Sequence, residues 1–151
     1  MKILIVSQYY YPEQFQINDI APKLVKRGHE VTVLCGLPNY PKGVLFKGFD
    51  DKKSTEIKEK EYFEQTGVCV IHVNQVLRGR NPLRLVMNYF TFACNSKKEV
   101  YMLPSDFDVV FCYQLSPITS MYAAMEYKKL YGTPISVSYT HLRAHETRSN
   151  L

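Results

Sequence analysis

Lys2-Ile3-Leu4-Ile5-Val6-Ser7 opens the chain, and Glu30-Val31-Thr32-Val33-Leu34-Cys35-Gly36 follows after an amphipathic segment, Ile17–Arg27, that Gly28 stops. Two short β-branched runs around one helical segment predict a β-α-β unit with parallel strands. Runs this apolar suit a sheet covered by helices on both faces, so the fold class expected is α/β. In such sheets ligands bind beyond the carboxyl ends of the strands. The loop Gln8–Asn18 and the loop after Gly36 both leave from those ends, and the site is expected there.

The 151 residues suffice for one domain with a core of its own. With 46% apolar and 22% charged residues, the composition is globular and not that of a disordered chain. Ile3–Val6 and the other apolar runs are strand-sized, too short to span a bilayer. Met1-Lys2-Ile3 runs straight into strand and reads as no secretory leader, so a cytoplasmic location is expected. Cys35, Cys69, Cys94 and Cys112 lack C-x-x-C spacing and each sits in an apolar stretch. They read as small buried hydrophobes in a reducing compartment, with no metal site. The formal charge of +5 suits a solvated basic surface, or one drawn to anionic lipid or nucleotide phosphates. No element interleaves basic and aromatic residues, so nucleic acid is not an expected partner.

The first loop holds Tyr9, Tyr10, Tyr11, Pro12 and Phe15, aromatics that must either pack on core or line a ligand face. Asn18 or Asp19 is expected to cap the next helix, with Pro22 in or just after its first turn and Ile20, Leu24 and Val25 as its buried stripe. Leu37-Pro38-Asn39-Tyr40-Pro41-Lys42-Gly43 reads as a stiff, turn-rich loop. Lys47–Lys60 is charged and weakly patterned, an exposed excursion. Ile57–Phe63 and Val68–Val76, around Gln65-Thr66-Gly67, suggest a hairpin or adjacent strands. His72 reads as a strand residue with a satisfied ring. Asn81 and Pro82 start a long helix to about Met102, with Leu85, Met87, Phe90, Ala93 and Cys94 as its buried positions. Arg78, Arg80 and Arg84, just before and within it, read first as a solvated helix start, with phosphate holding as the alternative. Val109–Tyr113 is another strand, and Ser116 caps a helix from Pro117 to Tyr131.

From Ser136 the chain changes character. Ser136-Val137-Ser138-Tyr139-Thr140-His141-Leu142-Arg143-Ala144-His145-Glu146-Thr147 resembles, residue for residue, the translation of a transposon-type sequencing adapter. Residues 136–151 are therefore expected to be a non-native tail, which removes His141, His145 and Glu146 from any catalytic or metal reading. Without residues 136–151, which carry Arg143, Arg148 and Glu146, the net charge falls from +5 to +4, still basic.

Three segments carry a resemblance to a known family: Lys2–Glu13, Leu24–Leu34 with its Arg-Gly-His-Glu-Val, and above all Gly36-Leu37-Pro38-Asn39-Tyr40-Pro41-Lys42-Gly43. Together they resemble the N-terminal half of family 4 glycosyltransferases of GT-B fold. The most similar branch builds bacterial surface polysaccharides and includes N-acetylfucosaminyl transferases. The resemblance spans residues 1–135. It implies a truncated Rossmann-like N-terminal domain, facing in the full enzyme a second Rossmann-like domain that this chain lacks. It further implies a retaining transferase moving a sugar from a nucleotide-sugar donor to a glycan or lipid-linked acceptor, at or near the inner face of the membrane. The C-terminal domain of such enzymes binds most of the nucleotide, so this chain alone is expected to be inactive.

Where the family often carries paired glycines in the first loop, this chain has Glu13-Gln14-Phe15-Gln16-Ile17-Asn18. Side chains, not bare backbone, would therefore face the cleft. The residues expected to line the acceptor side are Phe15, Gln16, Asn18, Asn39, Tyr40 and Lys42, joined by Gln114 and Ser116 from a later strand end. None is expected to act as acid or base, and no cofactor is expected. The other reading is a stand-alone flavodoxin-like domain binding a nucleotide or a partner. Against it, no G-x-G-x-x-G or G-K-[ST] follows Ser7.

Overall fold

The computed structural model describes residues 1–114 and 118–139, with backbone alone at 114, 120 and 139. Strand β1 (Lys2–Val6) leads to helix α1 (Ile17–Lys26) and strand β2 (Glu30–Gly36). Helix α2 (Lys52–Thr66), strand β3 (Cys69–Val73), helix α3 (Pro82–Glu99), strand β4 (Val109–Gln114), helix α4 (Met121–Tyr131) and strand β5 (Ile135–Tyr139) complete the order. The five strands form one parallel sheet in the order β3-β2-β1-β4-β5, the Rossmann-like arrangement. A flavodoxin-type sheet would instead run 2-1-3-4-5.

The apolar strands alternate between two buried faces. Leu4, Val6, Leu34 and Val110 pack with Phe92, Ala123, Ala124 and Tyr127 on the α3–α4 side. Ile3, Ile5, Val31 and Val33 pack with Ile17, Ala21, Tyr62 and Val68 on the α1–α2 side. The chain thus changes face between β3 and β4. In sheets of this order ligands bind outside the carboxyl ends of the strands, where the strand order reverses beside β1.

Several local expectations are corrected. Residues 52–66 form α2, not a strand of a hairpin. Its sequence shows no apolar stripe because it buries only Thr55 and Tyr62. Caps hold it instead: Asp51 accepts the Ser54 N–H at 2.9 Å. Gly67, at φ 73°, closes it in a left-handed turn whose N–H reaches the Phe63 carbonyl. Helix α1 starts at Ile17 with no side-chain cap, and Asn18 Oδ1 turns back to accept the Phe15 N–H at 3.1 Å. Its buried positions are Ile17 and Ala21, while Ile20 is exposed. Pro22 lies inside the helix, beyond the first turn.

Helix α3 runs as expected after its Asn81 cap, but it buries Asn88, Phe92, Ala93 and Ser96. Met87 and Phe90 face solvent. Among the cysteines, Cys35 and Cys112 are buried, Cys94 is half-buried and Cys69 is exposed. Strand β5 draws Ser136–Tyr139 into the sheet, since ladder bonds are made by backbone and tolerate most side chains. The expected boundary after Ile135 therefore falls inside a strand. His141, His145 and Glu146 lie outside the described residues.

Candidate functional site

Two loops meet at the carboxyl ends of β1 and β2. The first, residues 8–16, splits its aromatics between the two roles open to them. Tyr10 is buried with its hydroxyl 3.1 Å from that of Tyr62, and Tyr11 stacks on Tyr62 with ring centroids 4.1 Å apart. Tyr9 and Phe15 turn the other way and meet Tyr40 of the second loop. The three rings lie mutually in contact, with centroids 5.7, 5.4 and 5.5 Å apart. Tyr9 forms the buried floor, while Phe15 is half-buried and Tyr40 is 37% exposed.

Arg78, from the segment after β3, completes this surface. Its guanidinium lies 5.2 Å from the centre of the Tyr40 ring, within cation–π range, and donates to the Tyr9 hydroxyl at 3.2 Å. Burial pushes the Tyr9 phenol up to about 12, with Arg78 acting against the shift, so this hydroxyl stays protonated at neutral pH.

Glu13 ties the two loops together. One carboxylate oxygen accepts the backbone N–H of Asn39 at 2.8 Å and of Tyr40 at 2.6 Å. The other oxygen is buried and has no hydrogen-bond partner. Burial pushes the Glu13 carboxyl up to about 7, against the pull of the Tyr40, Asn39 and Tyr10 backbone groups. Asn39 carries the tie onward. Its side chain donates to the Leu37 carbonyl at 2.7 Å and accepts the Arg78 N–H at 2.9 Å. Gly43, at φ 71°, then lies so close to Arg78 that a Cβ there would sit 1.8 Å from the Arg78 carbonyl. Both loops carry a cis X-Pro bond, Tyr11-Pro12 and Tyr40-Pro41.

Beneath the loops lies a buried amide network. Gln8 donates to Gln75 at 3.1 Å and to Asn88 at 2.9 Å. Asn88 donates to the Val76 carbonyl, and Gln75 to that of Leu37. The network links β1, the segment after β3 and α3 under the aromatic surface, and it explains why α3 buries an asparagine.

His72 pins the same loop from the β3 edge. Its Nδ1 lies 2.9 Å from Glu59 and its Nε2 lies 2.9 Å from the Tyr11 carbonyl. Both partners accept, so both ring nitrogens carry protons and the ring is an imidazolium. Burial alone would lower its pKa, but Cys35, Glu59 and Tyr11 outweigh that and hold it up to about 10. Burial raises the Cys35 pKa, and the Glu59 carboxylate is the ring's ion-pair partner. Glu59 also accepts the His72 backbone N–H and so covers an open edge of the sheet.

Of the residues expected to line the site, Phe15 and Tyr40 are brought into ring contact. Asn39 is fully buried with its amide bonded, and it holds Arg78 in place. Asn18 is engaged in its own turn at Phe15. Gln16 and Lys42 are exposed on the two loops. Gln114 ends β4 by its backbone, and Ser116 lies outside the described residues. Sequence reasoning missed Tyr9 and Glu13 as site residues. Glu13 sat within the quoted motif, but nothing in a sequence marks one glutamate as buried.

A separate groove of about 750 Å³ runs along the outer edge of β3. Its lining is of mixed charge, with Asp50, Asp51, Glu56, Glu59 and Glu99 beside Lys52, His72 and Lys98. No helix among the described residues is long and apolar enough to cross a membrane.

No protein-family model matches this chain, and no curated protein sequence does. Among solved structures it is similar to the C-terminal domain (residues 78–226) of PF1911 hydrogenase from Pyrococcus furiosus. The identity is 22%, the TM-score 0.57, and 91% of each chain is covered. A second structure of that domain (residues 83–215) gives 21% identity and a TM-score of 0.58 over 91% of this chain and 90% of that one. At such identities the likeness establishes the α/β fold and nothing finer.

Proposed function

We propose that this chain is the acceptor-side lobe of a retaining glycosyltransferase of GT-B type, acting on a nucleotide-sugar donor and a glycan or lipid-linked acceptor. The observation that carries the reading is the Tyr9–Phe15–Tyr40 surface with Arg78 at its edge. It stands at the carboxyl ends of adjacent parallel strands, where ligands of this sheet type bind. Aromatic rings offer the apolar faces of a sugar a flat partner. Arg78 presents a fixed cation suited to a phosphate oxygen. The two loops come from different strands, yet Glu13 and Asn39 lock them to each other, so the surface is formed before any ligand arrives.

In a complete enzyme this surface would orient the acceptor. Burial against a second lobe would exclude water from the donor. No residue here is assigned as acid, base or nucleophile, and the lobe alone is expected to turn nothing over.

The test is to sequence the source gene across codon 136 and assay its uninterrupted product for sugar transfer, beside Tyr40→Ala and Arg78→Ala. Transfer with retained configuration, reduced tenfold or more in both variants, is the expected result. A reading frame lacking a second Rossmann-like half, or a full product without transfer, would overturn the reading.

A further inference from the structure

Strand β3 is an edge of the sheet, and the groove of about 750 Å³ runs along its outer side. Three hydrogen bonds fix which way the backbone faces there. The Val73 carbonyl accepts the Leu37 N–H at 3.1 Å, so Val73 faces inward, to the β2 side. Its neighbours face outward, because backbone groups alternate along a strand. The His72 N–H accordingly reaches Glu59 at 2.9 Å, and the Asn74 carbonyl accepts from the Asn95 amide at 2.6 Å. Glu59 and Asn95 both line the groove.

Each outward residue is thus capped at one group and open at the other. Among the described residues, the His72 carbonyl and the Asn74 N–H have no hydrogen-bond partner. This acceptor and donor flank Val73, and a further strand engages both when one of its residues lies opposite Val73. An edge open in this way is a template for strand addition. The caps restrict its register. A closely hydrogen-bonded antiparallel pair needs both groups of one edge residue, and neither His72 nor Asn74 has both to give.

Strand addition draws affinity from main-chain bonds and selectivity from the surroundings of the guest's side chains. Leu37, Leu45 and Ile71 give the groove apolar surface. Asp50, Asp51, Glu56, Glu59 and Glu99 bring five negative charges against three positive ones, on Lys52, Lys98 and the His72 ring. The groove is therefore acidic on a chain whose net charge is +5. A second copy adding its own β3 by two-fold symmetry would set these acidic walls against each other, which like charge opposes. A guest carrying lysine or arginine complements them.

We infer that the outer edge of β3 is a docking site for an extended, basic segment of another polypeptide, which adds to the sheet beside Val73. The inference uses no residue of the Tyr9–Phe15–Tyr40 surface and stands or falls apart from the transferase reading.

The experiment adds a capped heptapeptide of alternating lysine and valine to the whole chain and follows amide hydrogen exchange by NMR. Slower exchange at Asn74, with shifted Val73 and Asn74 amide signals and weaker binding at high salt, is expected. Methylating the backbone nitrogens of the peptide removes the donor for the His72 carbonyl and should cost roughly tenfold in affinity. Glutamate in place of lysine should also cost roughly tenfold. Asp50→Asn with Glu99→Gln keeps the shape of the walls and should reduce the preference for lysine over glutamate roughly threefold; unchanged thermal unfolding checks that the fold survives. An Asn74 amide that the lysine peptide leaves unprotected, equal binding of the methylated peptide, or an undiminished lysine preference in the variant would overturn the inference. So would a chain that is dimeric without peptide and already protected at Asn74, since a second copy would then occupy the edge.

Discussion

The Glu13 carboxylate accepts the backbone N–H of Tyr40 at 2.6 Å, and with it the loop after β1 and the loop after β2 become one surface. The bond is charge-assisted yet buried, a combination that gives it a pH dependence. Burial raises the Glu13 carboxyl to about 7 in the folded state, above its ordinary 4.5. The folded protein therefore holds this proton more tightly than the unfolded chain. Its contribution to stability falls as pH rises from about 4.5 through 7. Glu13→Gln keeps an acceptor for Asn39 and Tyr40 but does not titrate. We expect it to remove that slope in urea unfolding across pH 4 to 8, and to match or exceed the parent at the upper end. Glu13→Ala leaves both N–H groups unpaired and should lose about 1–3 kcal/mol at every pH.

His72 gives the same sign over a higher pH range. Its folded pKa is raised to about 10 from 6.5, so its ion pair with Glu59 is fully present below pH 6.5. Its stabilisation is lost as pH rises from there through 10. His72→Gln breaks the buried pair and should destabilise by on the order of 3 kcal/mol at pH 6, with a smaller loss at pH 9. Denaturant midpoints at the two pH values measure the difference. An equal loss at both would show a neutral ring in the parent.

Phe90 and Phe92 are two positions apart on α3 and face opposite environments. Phe92 is fully buried against the sheet and Phe90 is 66% exposed. Phe92→Ala should cost about 3–5 kcal/mol, the usual range for a buried phenylalanine. Phe90→Ala should stay within about 0.5 kcal/mol. Thermal unfolding of the two variants separates the faces directly.

Gly43 combines a left-handed φ of 71° with backbone contact to Arg78. Gly43→Ala is strained by conformation and by clash together, and about 2 kcal/mol or more of destabilisation is expected. Since the clash falls on Arg78, the variant should also move the side-chain signal of Arg78 in NMR spectra. Gly28→Ala also sits at positive φ but meets nothing nearby, so it should leave Arg78 unmoved. Gly28→Ala is thus the control.

What the sequence determined alone is the scaffold. Ile3–Val6 and Val33–Cys35 are apolar at consecutive positions, and a strand buried on both faces accommodates that. Gly28 and the Asn81-Pro82 pair mark a helix end and a helix start by backbone chemistry that needs no tertiary context. The convergence of the first two loops also followed, because parallel strands must leave from the same end of the sheet. Helix α2 was not legible, since it buries too little to carry an apolar period and is fixed by its caps. The buried side of α3 was not legible either. Its apolar residues run around the helix, and the polar Asn88 wins the inner side through the Gln8–Gln75 network. Only the tertiary structure decided that Tyr10 and Tyr11 serve the core while Tyr9 and Phe15 serve the site, and that Asn39 braces where Tyr40 displays. Which way a side chain turns depends on partners far away in sequence, and Glu13 and Arg78 are such partners, reaching the second loop from the first and from beyond β3.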